Sequence, residues 1–157
     1  MKAWFRVDNR LVHGQVIEGW LPYLDADTLV VVNDALADDE LQQQIMKLAV
    51  PGRIVTVFAP VRKAPSEFAR LSARSHSALF LFASCSDAAA LAEEGVSFPV
   101  LNVGNMHYAE GKRQLCPHVA VSDSDLHCLD WFRKRGTRLD FRCVPGDVPV
   151  VEEWTCP

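Results

Sequence analysis

The run Thr28 to Asn33, with the sequence TLVVVN, places the strongest constraint on the fold. It is β-branched or apolar at nearly every position, a pattern typical of strands that are buried on both faces of a parallel sheet. Neighbouring parallel strands need crossover connections, which are usually helices. The run therefore predicts an α/β protein with helices covering both faces of a central sheet.

The rest of the chain alternates short apolar runs with longer amphipathic segments, as this architecture requires. Further strands are predicted at Lys2 to Val7, Ile54 to Phe58, Ala78 to Ala83, Val100 to Val103, His118 to Val121 and Leu139 to Val144. Helices are predicted after Gly14, from Asp38 or Asp39 to Pro51, from Pro65, from Ser84 or Ser86 to Gly95, and from about Asp123 to Arg135. At 157 residues the chain fits one domain, 1–157, with a three-layer α/β/α fold and a mainly parallel central sheet.

Two of the predicted helices have a marked apolar stripe. In the first, the stripe is formed at 3.6 residues per turn by Val16, Ile17, Trp20, Leu21 and Leu24. In the second, the apolar residues that recur at helical spacing are Leu41, Ile45, Leu48 and Ala49.

The junction between the first strand and the first helix holds the candidate site. His13 and Gly14 are placed at the helix start, where the first backbone N–H groups have no partner within the helix and attract anions. Arg10 lies three residues before His13 and Asp8 five residues before it. A neutral imidazole is a nucleophile near pH 7, a carboxylate can fix its tautomer, and a guanidinium can hold phosphate oxygens in a fork.

On spacing alone, a structural role for this histidine competes with the catalytic one. A single histidine near a strand end is more often a surface or capping residue than a nucleophile. His107 is a rival candidate, because it lies in a glycine-containing loop after another predicted strand. It has no helix start directly after it and no arginine three residues before it, which favours a structural role.

The residues of this junction resemble a known family, the IIB components of the mannose/fructose/sorbose class of the bacterial sugar phosphotransferase system. The first strand and active loop of that family typically read R-V/I-D-D/N-R-L-I/V-H-G-Q-V, which Arg6 to Val16 match here. Further matches are Val31-Val32-Asn33-Asp34, Asn102-Val103-Gly104 with Met106-His107, and Val144-Pro145. The resemblance covers nearly the whole chain. One departure is Asn105, where glycine is expected, and asparagine accepts left-handed backbone better than most residues.

This resemblance implies that His13 accepts a phosphoryl group from a phosphohistidine on a IIA partner. His13 would pass the group to a sugar that is carried through a membrane IIC/IID channel. Arg10 would contact the phosphoryl oxygens, joined by the backbone N–H groups of Gly14 and Gln15, while Asp8 orients the ring or holds Arg10. No metal and no organic cofactor is required. The protein would be cytoplasmic and peripherally associated with the inner face of the plasma membrane.

Parallel strands bring the loops at their carboxyl ends to one edge of the sheet. Asn33 and Asp34 follow the second predicted strand and His107 follows the fifth, so these residues are expected at the same edge as His13. Which loops are neighbours depends on strand order, which periodicity does not give. The sequence also leaves open the sugar and whether the chain forms a homo-oligomer.

Composition narrows the class of protein further. A formal net charge of −4 argues against a nucleic-acid partner, since such proteins usually present a basic face. The five cysteines have no paired spacing and are interpreted as free thiols, and neither Cys116 with His118 nor His127 with Cys128 has the spacing of a metal site. No apolar run approaches the roughly 20 residues needed to cross a bilayer.

Two other functions are compatible with parts of this sequence. The first is a regulatory phosphohistidine module that keeps the chemistry of His13 but feeds no transporter. The second is a nucleotide- or flavin-binding domain, which would need a glycine-rich phosphate loop after the first strand. The chain has neither G-x-G-x-x-G nor G-x-x-x-x-G-K-[ST] there, so this function ranks well below the others.

Overall fold

Six parallel strands form the central sheet of the computed structural model, which describes residues 1–148. In chain order the strands of the protein are β1 (Lys2–Asp8), β2 (Thr28–Val32), β3 (Val55–Ala59), β4 (Ser77–Phe82), β5 (Val100–Asn105), β6 (Arg113–Cys116), β7 (Val119–Val121) and β8 (Arg138–Asp140). The sheet has the order β3-β2-β4-β1-β5-β8, while β6 and β7 form a separate antiparallel pair. The predicted α/β fold with a mainly parallel sheet is confirmed.

The first strand of the chain lies in the middle of this sheet. β1 pairs with β4 through contacts such as Phe5 with Phe80, and with β5 through contacts such as Phe5 with Leu101. The register between β1 and β5 shifts after Val7, so Asp8 lies opposite Asn105. The carboxyl end of β1 is therefore surrounded by the loops that follow β4 and β5.

Helices cover both faces of the sheet. On one face, a π-helical segment (Gln15–Trp20) continues into α1 (Leu21–Tyr23), followed by α2 (Asp34–Ala37) and α3 (Glu40–Ala49). On the other face, a 3₁₀ turn (Val61–Lys63) leads into α4 (Ala64–Ser72), and α5 (Cys85–Glu93) and α6 (Asp123–Lys134) lie beyond it. Ser84 caps α5 and Ser122 caps α6, because each hydroxyl accepts a hydrogen bond from the backbone N–H three residues later.

Two apolar clusters separate the sheet from its helices. The cluster beneath α4, α5 and α6 is rich in phenylalanine, and the rings of Phe5 and Phe98 stack with their centroids 3.7 Å apart. The cluster beneath the π-helical segment contains Val16, Trp20 and Leu21, which belong to the predicted stripe, and it includes Val31 of β2. β2 is buried at all five positions, as its β-branched sequence indicates.

Some predicted elements differ from the structure. The first helix is π-helical over most of its length, whereas the 3.6-residue spacing predicted an α-helix. The predicted last strand, Leu139 to Val144, ends at Asp140, because the Arg142 guanidinium and backbone N–H both turn back onto the Asp140 carboxylate. α2 and β6 were not predicted, since both are too short to show a clear period.

The prediction of free thiols is wrong for one pair of cysteines. A disulfide joins Cys85, at the start of α5, to Cys128 in α6. Their Cα atoms are 6.2 Å apart because the two helices pack side by side on one face of the sheet, and no spacing in the sequence reveals this contact. Cys143 keeps its thiol, as predicted, and Cys156 lies outside the described residues.

Gly104 in β5 lies directly against the guanidinium of Arg6, and an added Cβ would overlap it. Gly104→Ala should therefore force the buried arginine to shift and lower the free energy of unfolding by about 1–3 kcal/mol. Gly52→Ala is the matched control, because nothing lies within 4 Å of the added Cβ there. Its stability should change by about 0.5 kcal/mol or less. Urea unfolding of both variants tests this, and equal midpoints would show that the Arg6 contact imposes no constraint.

Candidate active site

The site is organised around Asp8, the last residue of β1. Its side chain has 0% exposure, and three cationic or imidazole groups surround it. The Oδ2 atom accepts hydrogen bonds from Arg6 Nη2 at 2.7 Å, Arg10 Nη2 at 2.9 Å and His13 Nε2 at 2.9 Å. The structure therefore brings Asp8, Arg10 and His13 together, as their spacing in the sequence predicts, and adds Arg6 to them.

Arg6 supports Asp8 from below. Residues two apart on a strand point to the same face, so β1 places both side chains under the π-helical segment. The guanidinium is 1% exposed and donates to Asn102 Oδ1 and, at 3.1 Å, to the carbonyl of Cys143. It also lies 5.1 Å from the centre of the Trp20 ring. Burial lowers the pKa of Arg6, and the neighbouring Asp8 carboxylate opposes that shift.

Arg10 returns to Asp8 through a tight turn. The backbone N–H of Leu11 donates to the Asp8 carbonyl at 2.9 Å, and Leu11 adopts left-handed backbone with φ of 55°. Such a conformation is costly for a leucine, and the burial of its side chain holds it in place. The turn lets Arg10 grip the carboxylate with a fork, from Nε to Oδ1 and from Nη2 to Oδ2, both at 2.9 Å.

The hydrogen bond between His13 and Asp8 fixes the tautomer of the neutral imidazole. An ionised carboxylate can only accept, so His13 Nε2 must carry a hydrogen. In the neutral ring the lone pair is then on Nδ1, on the side away from Asp8. The arrangement presents Nδ1 as the nucleophilic atom of a partly exposed ring.

Gly14 and Gln15 lie where the helix begins. The carbonyl of His13 accepts from the N–H groups of Val16 and Ile17, both at 3.0 Å, so the first turn starts at His13. Within residues 1–148, the backbone N–H groups of Gly14 and Gln15 donate no hydrogen bond to the protein. The Gln15 side chain joins the cluster, because Oε1 accepts from Arg10 Nη2 at 2.9 Å and from Cys143 Sγ at 3.2 Å.

The groups around Asp8 lower its pKa by more than burial raises it. Burial alone would raise the pKa of this carboxyl, but the hydrogen bonds from His13 and Arg10 and the charge of Arg6 hold it well below its usual range. The hydrogen bond with Asp8 also raises the pKa of Arg10. Asp8 therefore stays ionised as a fixed counter-charge under the imidazole.

The other predicted residues of this sheet edge form no hydrogen bond or ion pair with His13 within residues 1–148. Asn33 caps α2, accepting from the N–H of Leu36, and Asp34 accepts from the N–H of Val61 at 2.8 Å. Both follow β2, which β4 separates from β1. The exposed His107 lies closer in the topology, since β5 neighbours β1, and its Nδ1 is 3.3 Å from Asn105 Nδ2.

Asn105 links the two loops. Its Nδ2 donates to Asn9 Oδ1 at 2.6 Å, and its carbonyl accepts from the N–H of Asn9 at 3.2 Å. Asn105 ends β5 with ordinary backbone, so the left-handed conformation that asparagine tolerates is not used. The side chain thus ties the loop after β5 to the start of the His13 loop.

The supporting residues that the sequence did not reveal lie far from His13 in the chain. Asn102 holds the Arg6 guanidinium, and the Cys143 carbonyl accepts from both Arg6 and, at 2.9 Å, Trp20 Nε1. One signal was available for Arg6, since an arginine two residues before an aspartate shares its strand face. No sequence pattern indicates a role for Cys143, because it lies 128 positions after its partner Gln15.

The sequence and the fold have counterparts among known proteins. A family model described as "PTS system sorbose subfamily IIB component" matches residues 3–153. The N-acetylgalactosamine-specific phosphotransferase enzyme IIB component 1 of Escherichia coli K12 is 37% identical over 144 residues, which cover 90% of each chain. The mannose-specific EIIAB component of the same strain is 28% identical over 142 residues, covering 90% of this chain and 44% of that protein.

Among solved structures, the IIBSor domain of the sorbose permease from Klebsiella pneumoniae matches with a TM-score of 0.88. It is 28% identical, and the match covers 96% of this chain and 93% of that one. The fold and the sequence together define a IIB component of the sugar phosphotransferase system. The chain belongs to the sorbose subfamily of these components, which are phosphotransferases in sugar uptake. Within residues 1–148, no helix is long and apolar enough to cross a membrane.

Asp8→Asn should remove the counter-charge of the buried Arg6 and lower the free energy of unfolding at neutral pH by about 3–5 kcal/mol. Because the pKa of Asp8 is depressed in the folded protein, its stabilising effect is complete above the unfolded value of about 3.9 and declines as the pH falls below it. The difference between wild type and variant should therefore shrink in acid. Urea unfolding at neutral pH and near pH 3 measures both effects.

Asp38→Asn is the control for this experiment, since Asp38 is exposed and makes no ion pair within the described residues. Its stability should change by about 0.5 kcal/mol or less at either pH. An Asp8→Asn effect no larger than that of Asp38→Asn would show that the carboxylate is not needed to compensate Arg6.

Proposed function

We propose that His13 is the phosphoryl carrier of this IIB component and that it accepts the group on Nδ1. The observation that carries the proposal is the 2.9 Å contact between His13 Nε2 and the ionised Asp8. It leaves the lone pair of the neutral ring on Nδ1, the nitrogen that does not contact Asp8. Membership of the sorbose subfamily supports a phosphoryl-transfer role for the domain.

In the first transfer, the lone pair of His13 Nδ1 attacks the phosphorus atom of a phosphohistidine on a IIA component. The bond from that phosphorus to the donor nitrogen breaks, and the donor ring regains its lone pair. His13 then carries a phosphoryl group on Nδ1 and a hydrogen on Nε2, so its ring becomes cationic. Asp8 stabilises that cation, because its Oδ2 atom stays bonded to Nε2 throughout.

The phosphoryl oxygens would meet donors from the start of the helix. The backbone N–H groups of Gly14 and Gln15 have no acceptor in the described part of the chain, and such groups favour an anion. Two nitrogens of Arg10 are already bonded to Asp8, so Arg10 would offer Nη1 to the phosphoryl group. Phosphoryl transfer needs mostly positioning and charge stabilisation, and this site supplies both.

In the second transfer, a sugar hydroxyl attacks the phosphorus atom and releases its proton to water, and the electron pair of the breaking P–N bond returns to His13 Nδ1. The ring returns to its neutral state, with its hydrogen still held against Asp8. The donor in this scheme is a phosphorylated IIA component, and the sugar is delivered through membrane IIC and IID components. One relative is named as an EIIAB component, which supports a IIA donor for the IIB domain.

The acceptor assignment predicts a single site of labelling. Incubated with phosphoenolpyruvate, the general phosphotransferase enzymes and a cognate IIA component, the protein should gain one acid-labile phosphoryl group. Nuclear magnetic resonance of ¹⁵N-labelled histidine should place it on Nδ1 of His13. His13→Ala should abolish the label, whereas the control His107→Ala should retain it.

Label on His107, or undiminished labelling of His13→Ala, would refute the assignment. A phosphorus bond to Nε2 would refute the role given to Asp8 while leaving His13 as the carrier. Adding membranes that contain IIC and IID components together with a sugar separates transport from a regulatory role. A transporter component passes the label to the sugar, whereas a regulatory phosphohistidine module keeps it.

Arg10→Lys should slow transfer from phosphorylated IIA by about 10- to 1000-fold, the usual scale for losing one positioned donor. Lysine keeps the positive charge but cannot hold Asp8 with a planar fork while donating to Gln15. Single-turnover transfer measures this rate, and urea unfolding reports whether the fold is intact. Arg62→Lys, at an exposed position in the 3₁₀ turn, should transfer at the wild-type rate. Equal rates for both variants would remove Arg10 from the mechanism.

A further inference from the structure

The helix α3 exposes a row of large aliphatic side chains, here named the α3 stripe. It consists of Leu41, Ile45 and Leu48, which are 67%, 51% and 88% exposed. The helical spacing predicted from the sequence is present, but the stripe points away from the core. The residues that pack inward are instead Met46 and, just after the helix, Val50. Adjacent exposed aliphatic side chains of this size are typical of a contact surface.

Charges of opposite sign lie at the two ends of the α3 stripe. Asp38, Asp39 and Glu40 are exposed at its amino end, and Lys47 and Arg53 are exposed at its carboxyl end. Within residues 1–148, none of these five side chains forms an ion pair. A partner that fits this surface must therefore present an apolar centre between a basic end and an acidic end.

We propose that the α3 stripe binds a second copy of this chain, with the two α3 helices antiparallel about a two-fold axis near Ile45. In such an isologous contact the same surface serves both partners. Leu41 of one copy then meets Leu48 of the other, and the two Ile45 side chains meet at the axis. The acidic end of each helix lies against the basic end of its partner.

The positions of two charged residues support this pairing. Glu40 and Lys47 are seven residues apart, so they lie on the same side of α3, with Gln44 between them and the α3 stripe. In an antiparallel pair of helices, equivalent flanks face each other across the axis. Glu40 of each copy is thereby brought towards Lys47 of the other, forming two equivalent ion pairs.

Other occupants match this surface less well. An anionic membrane surface would attract Lys47 and Arg53 but repel the three acidic residues at the other end. A partner with one sign of charge would likewise be repelled at one end of the helix. Only a surface with the reversed charge order complements both ends, and a second copy of α3 supplies that order without any additional protein.

The proposed interface leaves the His13 site accessible. α3 packs beside the edge strand β3, since Lys47 Nζ lies 5.6 Å from the centre of the Phe58 ring. In the sheet order, β2 and β4 separate β3 from β1, a distance of about 14 Å at the usual strand spacing. Because the two-fold axis reverses the helix, the two His13 sites face opposite ends of the dimer.

Sedimentation equilibrium of the full chain tests the apolar part of the proposal. The wild type should form a dimer that dissociates on dilution, as expected for a contact of one helix per partner. Ile45→Glu and Leu48→Glu should each give a monomer, because they place a carboxylate in the apolar contact. Tyr108→Glu, at another exposed apolar residue, should dimerise like the wild type. Circular dichroism confirms that each variant is folded.

A charge exchange tests the antiparallel orientation. Glu40→Lys and Lys47→Glu should each weaken the dimer at low salt, because like charges then face each other. The double variant that carries both changes should recover most of the affinity. A wild type that stays monomeric up to its solubility limit, or a dimer that survives Leu48→Glu, would overturn the proposal. Failure of the double variant to recover would overturn the antiparallel pairing.

Discussion

The buried carboxylate of Asp8 determines how the residues of the His13 site are arranged. Asp8 has no exposed surface, and an ionised carboxylate in such a position is costly unless positive charge and hydrogen bonds compensate it. Arg6 provides that charge from within the sheet, which requires Arg6 to be buried as well. Arg6 also donates to Asn102 and to the Cys143 carbonyl, and the space that its guanidinium needs is left by Gly104. Its buried Nε has no hydrogen-bond partner within residues 1–148. The buried Asp8 carboxylate thus requires Arg6, and the buried Arg6 in turn requires Asn102, the Cys143 carbonyl and Gly104.

The same carboxylate connects stability to chemistry. Its Oδ2 atom accepts hydrogen bonds from Arg6, Arg10 and His13. The atom that stabilises the buried Arg6 therefore also fixes the tautomer of the His13 imidazole. The neutral ring is thereby held in one tautomer and one orientation. The turn from Asp8 to Leu11 belongs to this arrangement, because it brings Arg10 back onto Asp8. Pre-organisation of the site is therefore a consequence of how the carboxylate is buried.

Whether a contact could be predicted from the sequence depends on how far apart its residues lie in the chain. Asp8, Arg10, His13 and Gln15 are within eight positions of each other, so strand period, turn and helix start were enough to bring them together. The parallel sheet was also predictable, because the continuous apolar runs mark strands covered on both sides. The support from Asn102 and Cys143, the disulfide of Cys85 with Cys128 and the strand order all depend on contacts between distant segments. The π-helical start was missed because its apolar residues have the same spacing as those of an α-helix.

The position of β1 in the sheet has a consequence for synthesis of the protein. β1 is translated before both of its neighbours, β4 and β5, and the support of Arg6 that lies furthest along the chain comes from residues 142 and 143. A nascent chain thus holds Arg6 and Asp8 without their final partners until nearly all of the described residues have left the ribosome. Contacts of such long separation form slowly, and they form together rather than one by one. The His13 site is consequently among the last parts of the described structure to form, although Arg6, Asp8 and His13 are translated before the residues that support them.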